Sequence, residues 1–220
     1  VDKSLCRNAV KTLKKGDSFQ RNAALDKVSA CGRGEELVSL VQRDYNRLPD
    51  GAKADLLRWI GDNHISSGES IVVSLDNLQA SPEVAAASIE AASKFVSPSS
   101  EKLLEKALST EYGDKAARAL RFYRGDVSAL GLRVMSSGDS TAITGLVTMA
   151  GKRRVPVLFA PVRAYALKQT DPASRKAAYK AMANCASADD FAVLCSMLDS
   201  AAAVDVECLS VGVANAMGAA

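Results

Sequence analysis

Apolar residues in this chain recur at intervals of three and four, the spacing of one face of an α-helix, and not at two. Such runs include Leu37-Val38-Leu40-Val41, Ile71-Val72-Val73-Leu75-Leu78, Leu103-Leu104-Leu108 and Phe191-Val193-Leu194-Met197-Leu198. Segments rich in small residues lie between them. Polar breaks separate the two kinds: Gly16-Asp17, Gly138-Asp139 and Thr170-Asp171 carry stop and start signals. Ser97-Pro98-Ser99-Ser100-Glu101 reads as an N-cap with proline and an acid in the first turn. The pattern predicts helices near 3–14, 18–31, 35–47, 51–63, 69–79, 82–95, 99–109, 114–124, 126–136, 140–150, 155–168, 172–184, 189–198 and 204–217, with no strand. Within 155–168, Pro161 has no N–H for a carbonyl four residues back, so a kink or break is expected there.

Self-comparison shows one design seven times: a cap or turn, an alanine-rich helix, a polar break, and a helix rich in leucine or valine. The units begin near Asp17, Asp50, Ser81, Gly113, Asp139, Asp171 and Ala203, at spacings of 33, 31, 32, 26, 32 and 32 residues. Asp171-Pro172 and Ser81-Pro82 both place an N-cap before a proline at the first helical position, where its missing N–H costs nothing. Ala86, Ala87, Ala91, Ala177, Ala178 and Ala181 follow, and are expected at close helix–helix contacts. Each helix pair buries part of its apolar face alone, and stacking completes the core.

Asp171-Pro172 with Arg175, Ala177, Ala178 and Ala181 resembles the HEAT-repeat family of HEAT-like, armadillo-type α-solenoids, in its short bacterial form. The likeness covers about residues 17–217; only the unit at Asp171 has the Asp-Pro-Arg set. It implies an all-α fold: a right-handed α-α superhelix of about seven helix pairs, elongated and curved, as one domain over 1–220. With helices packed roughly 8–10 Å apart, such a stack would run on the order of 60–70 Å. In that family the alanine-rich helices line the concave side.

Composition narrows the function classes. Of 220 residues, 48% are apolar, 5% aromatic and 37 are alanine, which suits closely packed helices and not a β-sandwich. No uncharged run is long enough to cross a membrane. Cys6, Cys31, Cys185, Cys195 and Cys208 form no CxxC pair, and read as buried structural thiols, with a Cys6–Cys31 bridge as the alternative. The lone His64 falls at a helix end, where it reads as a cap instead of a catalytic base. Glu35-Glu36 and Asp189-Asp190 open helices, and Trp59 reads as core. No catalytic residue, metal site or cofactor site is assigned.

Charge is distributed unevenly. Residues 1–110 are neutral, 111–180 carry 13 basic and 5 acidic side chains, and 181–220 carry 5 acidic and none basic. Lys115, Arg118, Arg121, Lys176 and Lys180 form the candidate surface for an anionic partner. Lys115, Arg118 and Arg121 step by three, so they drift around their helix. Nucleic acid is disfavoured, because the sequence pI is only about 8.6. The leading expectation is a non-catalytic protein-interaction or scaffold module, partnered by a protein or by an adjacent domain of a longer chain. Its resemblance to helical parts of secreted bacterial proteins with carbohydrate-active domains implies a periplasmic or extracellular setting. The alternative is an enzyme or nucleic-acid-binding protein on a HEAT scaffold, glycosylase-like or lyase-like, using the basic block. The complementary basic and acidic blocks also raise weak self-association through the C-terminal end.

Overall fold

The computed structural model describes residues 4–218, which contain fourteen α-helices and no strand. The chain divides into two compact units. Unit 1 runs to Ala107 and includes Tyr123–Gly125; unit 2 is Leu108–Phe122 with the chain from Asp126 onward. Unit 1 contains α1 (Leu5–Lys15), α2 (Ser18–Ala30), α3 (Gly34–Val41), α4 (Asp50–Asp62), α5 (Glu69–Val72), α6 (Pro82–Ala92) and α7 (Pro98–Leu108) up to its last residue. Unit 2 contains α8 (Gly113–Phe122), α9 (Ser128–Ser136), α10 (Ser140–Ala150), α11 (Phe159–Ala166), α12 (Pro172–Cys185), α13 (Phe191–Asp199) and α14 (Ala203–Gly218).

Local chemistry sets the helix ends. Asp17 accepts from the Gln20 N–H at 2.8 Å while Gln20 Oε1 accepts from the Asp17 N–H at 3.0 Å, a capping box that opens α2. Ser81, Asp139 and Asp171 cap α6, α10 and α12 in the same sense. The helix stops repeat too. After α2, Gly32 takes a φ of 65°, its N–H meets Ser29 O, and Arg33 N–H meets Val28 O. After α4, His64 takes a φ of 50°, its N–H meets Gly61 O, and Ile65 N–H meets Ile60 O. Each atom of the second stop lies 32 positions after its counterpart in the first. This is the left-handed closure glycine prefers, and His64 makes it with a side chain.

In unit 1, α2 packs on α4 and α4 on α6; in unit 2, α8 packs on α10, α10 on α12 and α12 on α14. Small residues set the closeness. A methyl group on Gly61 would stand 2.8 Å from Ala91 Cα, so α4 and α6 touch nearly backbone to backbone there. Gly212 likewise faces Ala183 across α12 and α14. Ala87, Ala91, Ala178 and Ala181 are buried as expected, and Ala86 is half-buried. Ala177 is a correction: it is exposed. The inner stripe of α12 runs through Ala178, Ala181, Met182 and Cys185, and Ala177 is turned about one residue step away from it.

One ion pair occurs in two of the repeats. Arg21, four residues after the Asp17 cap, donates to Gly16 O at 2.8 Å and to Asp55 at 2.7 Å, in the next alanine-rich helix. Arg175, four residues after the Asp171 cap, reaches Gln169 O at 3.5 Å and Asp205 at 2.7 Å. Asp55 and Asp205 are both buried, and each carboxylate has its guanidinium.

The leucine- and valine-rich helices are shorter than the pattern predicts. The expected helix at 69–79 is α5 followed by a 3-10 turn at Leu75–Gln79. Buried Asn77 fills the break: its Nδ2 donates to Ile71 O at 2.8 Å and Val72 O at 3.2 Å, and Tyr45 donates to its Oδ1. Ser88 also donates to Val72 O. The helix expected over 35–47 likewise ends at Val41, with a 3-10 turn at Tyr45–Arg47. Pro161 causes no mid-helix kink, because α11 starts only at Phe159 and the proline sits in its first turn. Trp59 is core, its Nε1 donating to Ser29 Oγ at 2.7 Å.

All five cysteines are free thiols, with no Cys6–Cys31 bridge. Cys6 and Cys185 are buried, and burial pushes both thiols up. Cys195 and Cys208 are half-buried and Cys31 is exposed, against the expectation of buried thiols. Cys31 follows α2's last turn and does not lie on its inner face.

Candidate binding surface

The predicted basic residues all lie in unit 2, on the sides of α8 and α12 that face away from the core. Lys115, Arg118, Arg121, Lys176 and Lys180 are all exposed. Arg118 and Arg121 line one open hollow between α8 and α10, of about 470 Å³, with Asp114, Phe122, Thr148, Met149 and Lys152. Lys176 and Lys180 line a second between α12 and α14, of about 370 Å³, with Gly151, Asn184, Glu207, Cys208, Val211 and Asn215. Gly151 belongs to one hollow and Lys152 to the other, so they approach each other at the C-terminal end of α10. Lys115 lines neither, as expected from a step of three on a helix with 3.6 residues per turn.

Each unit holds both paired and unpaired cations; among the described residues of unit 1, Arg7, Lys11, Lys15, Lys27, Arg43, Lys102 and Lys106 have no carboxylate within ion-pair distance. In unit 1, Lys14, Arg21, Arg33, Lys53, Arg58 and Lys94 each pair with a carboxylate. Among the described residues, Lys115, Arg118, Arg121, Lys152, Lys176 and Lys180 have no carboxylate within ion-pair distance. The Arg121 guanidinium lies over the Phe122 ring at 5.0 Å, and that ring is 64% exposed. Between the basic rows, α10 presents Thr141, Thr144 and Thr148. Thr144 and Thr148 donate their hydroxyls back to the carbonyls of Ser140 and Thr144, so this strip is uncharged.

A further rung would have been legible from the repeat. Asn184 Nδ2 donates to Ala150 O at 2.8 Å and Asn215 Nδ2 to Ala183 O at 2.9 Å. Arg153 Nη1 does the same for Leu120 O at 2.7 Å. Each satisfies a carbonyl near the end of the preceding alanine-rich helix, where the helix leaves acceptors unpaired. The threonine strip was equally open to sequence reading, at helical spacing, and was missed because it carries no charge.

Reactive chemistry is sparse. Burial pushes the Cys208 thiol up and Glu207 adds to it, against Lys176 and Lys180, which keeps it protonated at neutral pH. His64 is exposed at the end of α4 and its backbone, not its ring, closes the helix. Among the described residues no three His, Cys, Asp or Glu side chains stand close enough to hold a metal ion. No helix among them is long and apolar enough to cross a membrane. Comparison of the chain with protein-family models, curated proteins and solved structures finds no significant match.

Proposed function

We propose that this chain is a non-catalytic interaction module: a HEAT-like α-solenoid whose alanine-rich helices present a docking surface, in unit 2, to an anionic partner. The observation that carries this is the repeat-to-repeat bonding. Arg21 with Asp55, Arg175 with Asp205, Asn184 with Ala150 and Asn215 with Ala183 span 34, 30, 34 and 32 residues. Each joins a helix to its counterpart one unit away, as nearest-neighbour stacking requires. The unpaired cations of unit 2 support an anionic partner, and the open hollows suit a docked surface better than an enclosed substrate.

The test is affinity capture with the whole chain from the organism that makes it, then reconstitution of each retained protein in pure form. A stoichiometric complex is expected that weakens when Arg118 and Arg121 are changed to Glu and that dissociates with salt. Turnover of a small molecule by the pure chain, with no stable complex, would overturn the reading.

A further inference from the structure

The spacing of the unpaired cations narrows the kind of partner. We propose that the outer face of α8, α10 and α12 binds an extended acidic polypeptide segment that crosses the three helices, one carboxylate cluster meeting Arg118, Arg121 and Lys152 and a second meeting Lys176 and Lys180. This rests on the reading of the chain as an interaction module.

Charge complementarity comes first. Each of these five is exposed and has no carboxylate within ion-pair distance among the described residues, unlike Arg21, Arg58, Lys94 and Arg175, which are paired. They also form two groups, not a continuous track. The threonine strip of α10 between them is uncharged, with the hydroxyl protons of Thr144 and Thr148 turned inward. Neighbouring helices pack about 8–10 Å apart, which places the α8 and α12 rows roughly 16–20 Å from each other. An extended chain covers about 3.3–3.6 Å per residue, so five or six residues span that gap.

A nucleic acid fits this pattern poorly. It carries a phosphate at each nucleotide, and those above α10 would stand over neutral threonines. Asp114 in the first hollow and Glu207 in the second repel phosphate and carboxylate alike, but both can accept main-chain N–H groups, which a polypeptide carries and a sugar-phosphate backbone does not. Exposed Ala173 and Ala177 keep the surface of α12 low beside Lys176 and Lys180, so a backbone can approach. Exposed Phe122 offers a seat for one apolar side chain next to the first carboxylate cluster.

Fluorescence anisotropy with the whole chain and labelled synthetic peptides tests this. One peptide carries two pairs of glutamates separated by five neutral residues, with a leucine beside the first pair. A second has the same composition with the four glutamates contiguous. The spaced peptide is expected to bind at least fivefold more tightly, and to lose affinity at least tenfold with Arg118→Glu/Arg121→Glu or with Lys176→Glu/Lys180→Glu. Lys102→Glu/Lys106→Glu, a reversal of two exposed lysines in α7, is expected to change nothing. Unchanged circular dichroism melting of the variants, all exposed, shows that the fold is kept.

Equal affinity for both peptides, or no effect of the unit 2 reversals, overturns the proposal. Tighter binding of a thymidine 15-mer, lost on the same reversals, overturns it in favour of a nucleic acid. A dimer seen by light scattering and abolished by those reversals does so in favour of a second copy of this chain. A reconstituted partner that binds while neither peptide does would overturn this inference and leave the interaction-module reading intact.

Discussion

The smallest decisive unit in this protein is the choice between adjacent alanines. Ala178 is fully buried and Ala177 is exposed, one residue step around the same helix. Ala178→Phe is therefore expected to overpack α12 and cost about 1–3 kcal/mol, while Ala177→Phe leaves the melting temperature unchanged. Equal melting shifts for both would show the register of α12 to be wrong. The sequence pattern assigned both alanines to contacts because a run of small residues carries no direction of its own; the stripe becomes visible only with the larger neighbours Tyr179 and Met182 in place. His64→Gly should raise stability by up to about 1 kcal/mol, since the position already has a left-handed backbone. A fall would mean that the ring makes an unrecognised contact. Asp171 gives a pH signature. The Ser174 N–H at its carboxylate holds Asp171 below the usual carboxylate range. Because the folded value lies below the unfolded one, this stabilisation is complete above about pH 4 and is lost as pH falls through the lower, folded value. Asp171→Asn keeps the cap and should flatten the acid limb of melting temperature against pH; an identical limb refutes the assignment.

At the scale of helices, existence and order were legible in the chain. Fourteen helices were expected from periodicity and caps, and fourteen are present among the described residues. Asp17, Ser81, Asp139 and Asp171 cap where the polar breaks announced it. The shortened helices were not legible, since Leu75 and Leu78 continue the helical spacing after α5. The break there depends on Asn77 taking the Ile71 and Val72 carbonyls from inside the core, a tertiary effect. The contacts between helices make two predictions. Gly61→Ala puts a methyl group against Ala91 Cα and must push α4 from α6, so a marked drop in melting temperature is expected. Arg21→Ala leaves the buried Asp55 without its guanidinium and should cost roughly 3 kcal/mol, partly recovered when Asp55 is also changed to Ala. Additive losses in that double variant would mean that the pair is not coupled.

At the scale of the molecule, the basic block was visible in the charge count alone, but its division into two groups was not. That division comes from α10, whose outer face is threonine, lying between α8 and α12. The 32-residue offset between the stops at Gly32 and His64, and the side-chain bonds that repeat at similar distances, also bear on how the chain reaches its fold. Loop-closure entropy depends on the length of chain between partners. Arg21 and Asp55, Trp59 and Ser29, and Arg175 and Asp205 close loops of 30 to 34 residues, so the helices they join, α2 to α4 and α12 to α14, dock at much the same entropic cost. Partners this near in the chain favour faster folding than distant pairings would. They also let each helix pair fold onto its predecessor as it leaves the ribosome, without waiting for residues not yet synthesised.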